Sequence, residues 1–295
     1  MGPDAALDGR NLGNDFTLKD GWRMYHGHTV PGFPYHPHRG FETITIVNEG
    51  FCDHSDSMGA AGRFGQGDVQ WMTAGRGVQH AEMFPLLNRE EENPLELFQI
   101  WLNLPKASKF VEPHFKMLWH EEIPVVREKN VEIKVIAGRW RDQKAPQPAP
   151  DSWASNPDHQ VAIWNIHIEP HGSLILPKTS AGINRSIYFY DGNTLTLNGH
   201  ILGSGEGADL ESQLETSIQN GDEKAHLLIL QGVPISEPVV QYGPFVMNSQ
   251  QEIEKAMEDY RLTRFGGWPW PYPDQVHDRE KGRFASYADG SVEVK

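Results

Sequence analysis

Two pairs of potential metal ligands stand out in the sequence, each with one residue between its members. His36 and His38 lie in the string YHPHRGFETITIV, and His80 and Glu82 lie further along the chain in GDVQWMTAGRGVQHAEM. Side chains two positions apart on an extended chain point to the same face, so the members of each pair can meet one ion. Three imidazoles and one carboxylate suit a divalent first-row metal, and a metal that prefers six ligands keeps positions open for water, substrate or dioxygen. The spacing predicts an open metal site for catalysis or sensing.

A single His-x-His pair is weak evidence in a chain with 14 histidines, because such pairs are common in hydrogen-bonded surface loops. The second pair, with the same spacing, strengthens the prediction of a metal site. His26 and His28 form a competing pair, but prolines and a glycine follow at once, so we interpret them as loop residues. Glu42 shares the parity of the first pair and is a reserve candidate, either as a ligand or as a group that orients a histidine.

Other side chains that could react are better explained by structure. His167 and His171 (NIHIEPH) lie four residues apart where a strand meets a proline, which favours separate structural roles. Cys52 is the only cysteine, so the chain forms no internal disulfide and no thiolate-rich metal site, and we expect an inert, packed thiol. Five aromatic side chains are candidates to line a hydrophobic pocket beside the metal, although core packing explains each of them equally well: Phe33, Tyr35, Phe41, Trp71 and Trp101.

Length and composition limit the fold and the class of partner. The 295 residues are about twice the length of a typical domain, and 29 Gly and 21 Pro favour many turns, so we expect two all-β domains. A net charge of -14 repels phosphate backbones, which argues against direct nucleic-acid binding and favours a basic protein partner. The sequence contains neither a secretory signal pattern nor an apolar run of membrane-spanning length, so we expect no membrane association and a cytoplasmic location.

Short strands punctuated by turn residues would position these side chains. FETITIV alternates with the strand period, and a second series of strands begins after the proline-rich string DQKAPQPAPD. Ser249 and Glu252 form a capping box that predicts a short helix near the end of the chain. The predicted organisation is an N-terminal metal-binding domain (1–141), a linker (142–152), a C-terminal domain (153–265) and an irregular tail with an aromatic stretch (266–295).

Three strings, YHPHRGFETITIV, GDVQWMTAGRGVQHAEM and EPVVQYGPFVMNS, resemble the pirin family of bicupins, over a span from about Phe33 to Phe265. The resemblance implies two tandem cupin barrels, also called double-stranded β-helices or jelly rolls, with a short C-terminal helix. It also implies a single non-haem Fe²⁺ in the N-terminal barrel and no metal in the C-terminal one. The family's ligand pattern falls on His36, His38, His80 and Glu82, in agreement with the parity argument. Mn, Ni, Cu and Zn stay open as alternatives to iron.

Three functions are consistent with that resemblance. The first is a dioxygenase similar to the pirin-type quercetinases, in which a flavonol such as quercetin chelates the metal, Glu82 takes the hydroxyl proton and dioxygen opens the ring with release of carbon monoxide. The second is a non-catalytic, iron-dependent redox regulator that binds a transcription factor or a metabolic enzyme. The third is a cupin enzyme of another reaction class, because the fold alone does not determine the chemistry.

Overall fold

The computed structural model describes residue 27 and residues 29–295, so the interpretation of His26 and His28 as loop residues concerns positions outside the described part of the chain. The chain divides into two compact units. The first unit combines the described part of Met1–His120 with Glu237–Lys295, and the second is Glu121–Ser236. No helix in the described residues is long and apolar enough to cross a membrane.

Short β-strands make up most of the regular structure. Up to residue 120 the strands are β1 (Gly32–His38), β2 (Phe41–Glu49), β3 (Phe51–Asp56), β4 (Ala61–Gly65), β5 (Val69–Thr73), β6 (Val78–Met83), β7 (Glu96–Asn103) and β8 (His114–Leu118). The second unit contains β9 (Val125–Glu128), β10 (Val131–Ala137), β11 (Arg139–Trp140), β12 (Gln143–Lys144), β13 (Ala162–Ile168), β14 (Ser173–Leu176), β15 (Asn184–Asp191), β16 (Thr194–Leu197), β17 (His200–Gly203), β18 (Glu206–Asp209), β19 (Thr216–Asn220) and β20 (Ala225–Gly232). The last part of the chain contains β21 (Val240–Tyr242), β22 (Phe245–Met247), helix α1 (Gln250–Thr263), β23 (Phe284–Ser286) and β24 (Val292–Val294).

The first unit is built from two antiparallel sheets that enclose an apolar core. One sheet has the strand order β1-β6-β3-β4-β23-β24 and the other has the order β7-β2-β5-β8. Their inward side chains, among them Val47, Cys52, Phe64 and Met117, form one buried cluster. Cys52 is fully buried, and burial raises the pKa of its thiol well above the ordinary value, as expected for a packed and unreactive cysteine.

The second unit repeats this architecture around a core of its own. A sheet with the order β18-β15-β20-β13-β10-β9 faces a sheet with the order β14-β19-β16-β17. Ile133, Ile166, Leu197 and Ile229 belong to the buried apolar cluster that both sheets share. The predicted all-β class is therefore confirmed, together with the short C-terminal helix.

Helix α1 begins as the capping box predicts. The Ser249 hydroxyl accepts a hydrogen bond from the Glu252 amide at 3.2 Å, and the Glu252 carboxylate accepts one from the Asn248 amide at 2.9 Å. The first bond pairs an amide that the first helical turn leaves without a partner, and the second ties the residue before the N-cap to the helix. Ile253 and Ala256 form the buried face of the helix, as their spacing predicts.

The structure differs from the predicted organisation at three places. The segment 142–152 lies inside the second unit, where Ala149 is fully buried, because β10 before it pairs with β13 after it. Residues 237–265 belong to the first unit instead of continuing the C-terminal domain. The tail 266–295 is not wholly irregular, because β23 pairs with β4 and extends the sheet of the first unit.

Candidate metal centre

Strand β6 brings the two predicted ligand pairs together. It pairs with β1 so that His36 lies opposite His80, after a shift in register between Phe33 and His36. On its other side β6 pairs with β3, where His54 lies opposite Glu82. Because side chains alternate along each strand, these residues share the inward face of the sheet.

The four predicted site residues lie close together. The ligand atoms of His36, His38 and His80 are all within 4.8 Å of one another. The ring centroids of His36 and His80 are 4.5 Å apart, and those of His38 and His80 are 4.8 Å apart. Glu82 lies at the edge of this cluster, with its Oε2 3.6 Å from Nε2 of His80.

Each imidazole of this cluster keeps at least one ring nitrogen that is available to a metal. The ring nitrogens of His38 and His80 are buried, and none of them meets a described partner with the geometry of a hydrogen bond. The Pro244 backbone interacts weakly with the His38 ring and slightly opposes the fall in its pKa. His36 donates a hydrogen bond from Nδ1 to the Pro34 carbonyl at 2.9 Å, which leaves Nε2 as the atom that can bind a metal. Buried polar atoms without partners cost free energy, and a cation between the three rings would supply the missing interaction. The residues therefore fit a divalent metal.

Burial keeps these rings in the neutral form that binds metals. Loss of hydration lowers the pKa of His38 and of His80 well below the ordinary value of 6.5, and the neighbouring imidazoles lower it further. His36 keeps part of its surface exposed, yet burial of the ring still lowers its pKa, against the opposing effect of Glu82. Protons therefore compete weakly for the nitrogens that would hold a metal.

Hydrogen bonds from two other strands hold the Glu82 carboxylate. Thr45 on β2 donates to Oε1 at 3.1 Å, and the Gln99 amide on β7 donates to Oε1 at 2.8 Å and to Oε2 at 2.7 Å. The sequence reasoning did not identify Thr45 or Gln99. Their signal is a polar residue on the inward face of a strand, Thr45 in FETITIV and Gln99 in LELFQIWLNL.

The reserve candidate Glu42 lies on the opposite face of β2 from this cluster. Its Oε1 accepts hydrogen bonds from the Thr73 hydroxyl at 2.7 Å and from the Trp71 indole at 3.1 Å. Thr45, three positions further along β2, points towards Glu82 and so marks the inward face. The sequence predicted that Glu42 shares a face with His36 and His38. This prediction is wrong because a break in the chain separates β1 from β2 and reverses the face.

Three of the five predicted aromatic residues contact the imidazoles. Phe41 and Trp101 have ring centroids 4.3 Å apart, and each ring meets His38, at 5.1 and 5.5 Å. Phe33 meets His36 edge-on at 6.4 Å. Trp101 is 41% exposed, so the indole forms part of the open side of the cluster. These side chains give the site a partly apolar wall.

The other two aromatic residues lie elsewhere. Trp71 faces away from the cluster with its indole bound to Glu42. Side chains alternate along β1, so Tyr35 lies on the face opposite to its neighbour His36. It stacks there on Trp268 with ring centroids 5.0 Å apart. Core packing and surface stacking account for these two side chains.

A further histidine lies beside the cluster. His54 is fully buried, its ring centroid is 5.5 Å from that of His80, and its Nε2 lies 3.2 Å from Oδ2 of Asp56. No His-x-His pattern marks His54, so spacing alone could not identify it. Its bond to Asp56 directs one nitrogen away from the His36, His38 and His80 cluster, which favours a supporting role for this ring.

Comparisons with known proteins give matches in both halves of the chain. The family profile "Pirin" matches residues 7–102 and the profile "Pirin C-terminal cupin domain" matches residues 163–266. The chain is 38% identical over 236 residues to a protein of Pseudomonas aeruginosa named "Putative quercetin 2,3-dioxygenase", with 79% of each chain covered. It is 34% identical over 259 residues to the pirin of Rattus norvegicus, with 80% of this chain and 78% of that protein covered.

A solved structure gives the same result at the level of the fold. The crystal structure of quercetin 2,3-dioxygenase from Acinetobacter baumannii matches with a TM-score of 0.72 at 32% identity, and the match covers 81% of this chain and 80% of that one. The expectation of two cupin domains is therefore confirmed. With family profiles matched in both halves of the chain and similarity to these relatives over most of its length, the chain belongs to the pirin family.

Proposed function

We propose that the protein is a metal-dependent dioxygenase that opens the central ring of a flavonol such as quercetin. The observation that carries this proposal is the group of three imidazoles, with unpaired ring nitrogens on the buried His38 and His80, beside the anchored carboxylate of Glu82. The relatives whose names include quercetin 2,3-dioxygenase support the same reaction class.

His36, His38 and His80 would hold the metal, with Glu82 as the fourth ligand. A divalent ion bound there would supply positive charge that lowers the pKa of a nearby hydroxyl group and polarises a carbonyl oxygen. Three nitrogen donors and one oxygen donor suit a borderline first-row ion, so we propose Fe²⁺ and keep Mn, Ni, Cu and Zn as alternatives for metal analysis.

Glu82 would act as the base of the reaction. A carboxylate bound to a cation is a poor base, so Glu82 would have to loosen from the metal to accept the proton of a flavonol hydroxyl. The neutral donors Thr45 and Gln99 would then keep the carboxylate beside the cluster. One dioxygen is consumed for each flavonol. The two carbon–carbon bonds of the hydroxyl-bearing carbon break, and that carbon leaves as carbon monoxide with its own oxygen. The two atoms of dioxygen end on the carbons that flanked it, one in an ester and one in a carboxylic acid that receives the proton.

The exposed Trp101, supported by the buried ring of Phe41, and the partly exposed Phe33 fit a planar aromatic substrate. Aromatic rings pack favourably on such side chains at centroid separations of 4.5 to 7 Å. His36 is the cluster histidine with exposed surface, so a substrate would approach from the side that His36 and Trp101 share.

Oxygen consumption tests this function directly. Iron-reconstituted protein is assayed with and without quercetin, beside His80→Ala and Glu82→Gln, with metal analysis of every sample. We expect quercetin-dependent oxygen uptake that is lost in His80→Ala together with the iron. Glu82→Gln should fold and lose turnover. The proposal fails if the wild-type protein holds stoichiometric iron without consuming oxygen, or if Glu82→Gln keeps both iron and full turnover.

A second candidate function is a redox regulator, and one specific set of contacts favours it. Helix α1 bonds to residues that adjoin two of the cluster histidines: Asp259 pairs with Arg39 at 2.8 Å, and Tyr260 donates to Gln79 at 2.8 Å. A change of one charge unit at the metal could thereby alter a surface helix that a basic protein partner would contact. Amide hydrogen exchange of residues 250–263 in the ferrous and ferric protein tests this function. Equal exchange rates in both states would exclude it.

A further inference from the structure

A chain of hydrogen bonds connects the exposed side of the cluster to the Glu82 carboxylate. The indole of Trp101 donates from Nε1 to Oε1 of Gln99 at 3.1 Å, and Nε2 of Gln99 donates to both oxygens of Glu82. Trp101 and Gln99 are two residues apart on β7 and therefore share its inward face. The register places them opposite Thr43 and Thr45 of β2.

The chemistry of these groups fixes the direction of every bond. An indole nitrogen only donates, so the Gln99 oxygen must face Trp101 and the Gln99 amino group must face Glu82. Thr45 also donates to the same carboxylate. Glu82 therefore accepts hydrogen bonds from two neutral groups, Thr45 and Gln99. The hydrogen bond from Trp101 fixes the orientation of Gln99.

Trp101 is positioned to contact a ligand. The indole is 41% exposed, stacks on Phe41 and meets the His38 ring edge-on, with centroids 5.5 Å apart and planes at 72°. A planar aromatic molecule that approaches the cluster from this side can pack on the open surface of the indole. Any movement of the indole changes the bond that orients Gln99.

We propose that Trp101 is the residue on which an aromatic substrate seats and that Gln99 is a positioning residue which couples this seat to the orientation of Glu82. The inference rests on the proposed dioxygenase function for the identity of the substrate. The coupling itself rests on the hydrogen bonds among Trp101, Gln99 and Glu82, whichever flavonol binds.

Three variants separate the parts of this coupling. Trp101→Phe keeps an aromatic surface and removes the indole donor, Gln99→Leu removes both bonds to Glu82, and Trp101→Ala removes the seat. Trp268→Phe is the matched control, because its indole also donates a hydrogen bond, to the Tyr272 carbonyl at 2.8 Å, from a stack against the outward face of β1. Melting temperature and metal content are measured for each variant.

The first readout is independent of turnover. Each protein is loaded with Co²⁺, and its visible absorption spectrum, which reports the arrangement of the ligands, is recorded without substrate. We expect Gln99→Leu and Trp101→Phe to shift this spectrum and Trp268→Phe to leave it unchanged. Spectra of Gln99→Leu and Trp101→Phe identical to that of the wild-type protein would overturn the coupling, whatever the substrate is.

The second readout uses quercetin as the probe. With the iron-loaded protein we expect Gln99→Leu and Trp101→Phe to lower kcat by about 10- to 100-fold, the usual effect of losing a group that orients a metal-site residue, with little change in KM. Trp101→Ala should also weaken quercetin binding, measured on zinc-loaded protein, by roughly 10-fold. Unchanged quercetin affinity in Trp101→Ala would refute the proposal that the substrate packs on Trp101.

The outcomes distinguish this inference from the proposed function. A wild-type protein that does not turn over quercetin, but whose Co²⁺ spectrum shifts in Gln99→Leu and Trp101→Phe, keeps the coupling and refutes the flavonol reaction. A wild-type protein that turns over quercetin, with kcat and spectra unchanged in both variants, keeps the reaction and refutes the coupling.

Discussion

Arg63 and Asp53 form a buried, two-pronged ion pair across β3 and β4, with Nε 2.7 Å from Oδ1 and Nη2 2.8 Å from Oδ2. The same guanidinium donates to backbone carbonyls of the C-terminal segment, at His277, Asp278 and Lys281. Every donor of this buried cation is directed either to a carboxylate or to the tail. Arg63 therefore attaches the C-terminal segment to the sheet that carries the histidine cluster.

Loss of this guanidinium should destabilise the first unit strongly. Arg63→Met leaves the Asp53 carboxylate buried without its cation, and breaking a buried pair in this way costs about 3 to 5 kcal/mol. Denaturant unfolding should report a fall of that size, and trypsin should cleave faster near residues 279–283. Arg76→Met is the control, because its pair with Glu112 is largely exposed and should contribute less than about 1 kcal/mol. Equal losses in the two variants would contradict the structural role of Arg63.

Removal of one cluster imidazole should abolish metal binding without unfolding the protein. His80→Ala deletes the ring that lies between His36, His38 and Glu82, so we expect metal content after dialysis to fall below roughly a tenth of the wild-type value. Elemental analysis measures this directly. His200→Ala, in the exposed strand β17, should keep the full metal content. Retention of metal by His80→Ala would mean that the ion binds elsewhere.

His167 should titrate far below an ordinary histidine. It stacks on His226 with ring centroids 4.3 Å apart, and burial, followed by repulsion from His226, lowers the pKa of His167 to about 4. The unfolded chain takes up a proton near pH 6.5 whereas the folded one does not until about pH 4, so this residue removes stability as the pH falls through that window. NMR titration of the imidazole in wild-type protein and in His226→Gln, where the pKa of His167 should rise, measures the effect. A midpoint near 6.5 in the wild-type protein would refute the prediction.

The N-terminal cap of α1 should contribute measurably to stability. Ser249→Ala removes the acceptor for the Glu252 amide, a change that usually costs about 1 kcal/mol. The free energy of unfolding from urea titration should fall by that amount. Gln251→Ala, at an exposed position of the same turn, should change it by less than about 0.5 kcal/mol. If both variants are as stable as the wild-type protein, the cap is not a stabilising feature.

Local patterns in the sequence were sufficient to predict the elements that depend on local spacing. The two-residue spacing of His36 with His38 and of His80 with Glu82 predicted four side chains that the structure brings together. The capping box at Ser249 predicted the start of α1. In both cases the relevant geometry is set by residues within one strand or one helical turn.

Features that depend on distant pairing could not be predicted in this way. The parity of Glu42 failed because the chain breaks between β1 and β2 at Gly40, whose φ is +87°, and counting residues by twos through this glycine gave the wrong face. Strand β23 joins the sheet of the first unit through its pairing with β4, which is far away in the sequence. Gln99 looked like an ordinary strand residue, because its role depends on Glu82 of another strand.

The hydrogen bond from Arg63 to the Asp278 carbonyl joins residues 215 positions apart, which has a consequence for biosynthesis. The second unit is a continuous segment, so we expect it to fold as soon as residues 121–236 have left the ribosome. The first unit contains residues from both sides of that segment, and the free edge of β4 stays uncovered until β23 is translated. Folding of the histidine-bearing unit is therefore completed last, and a truncated transcript or an early stop would leave it with an unpaired strand edge prone to aggregation.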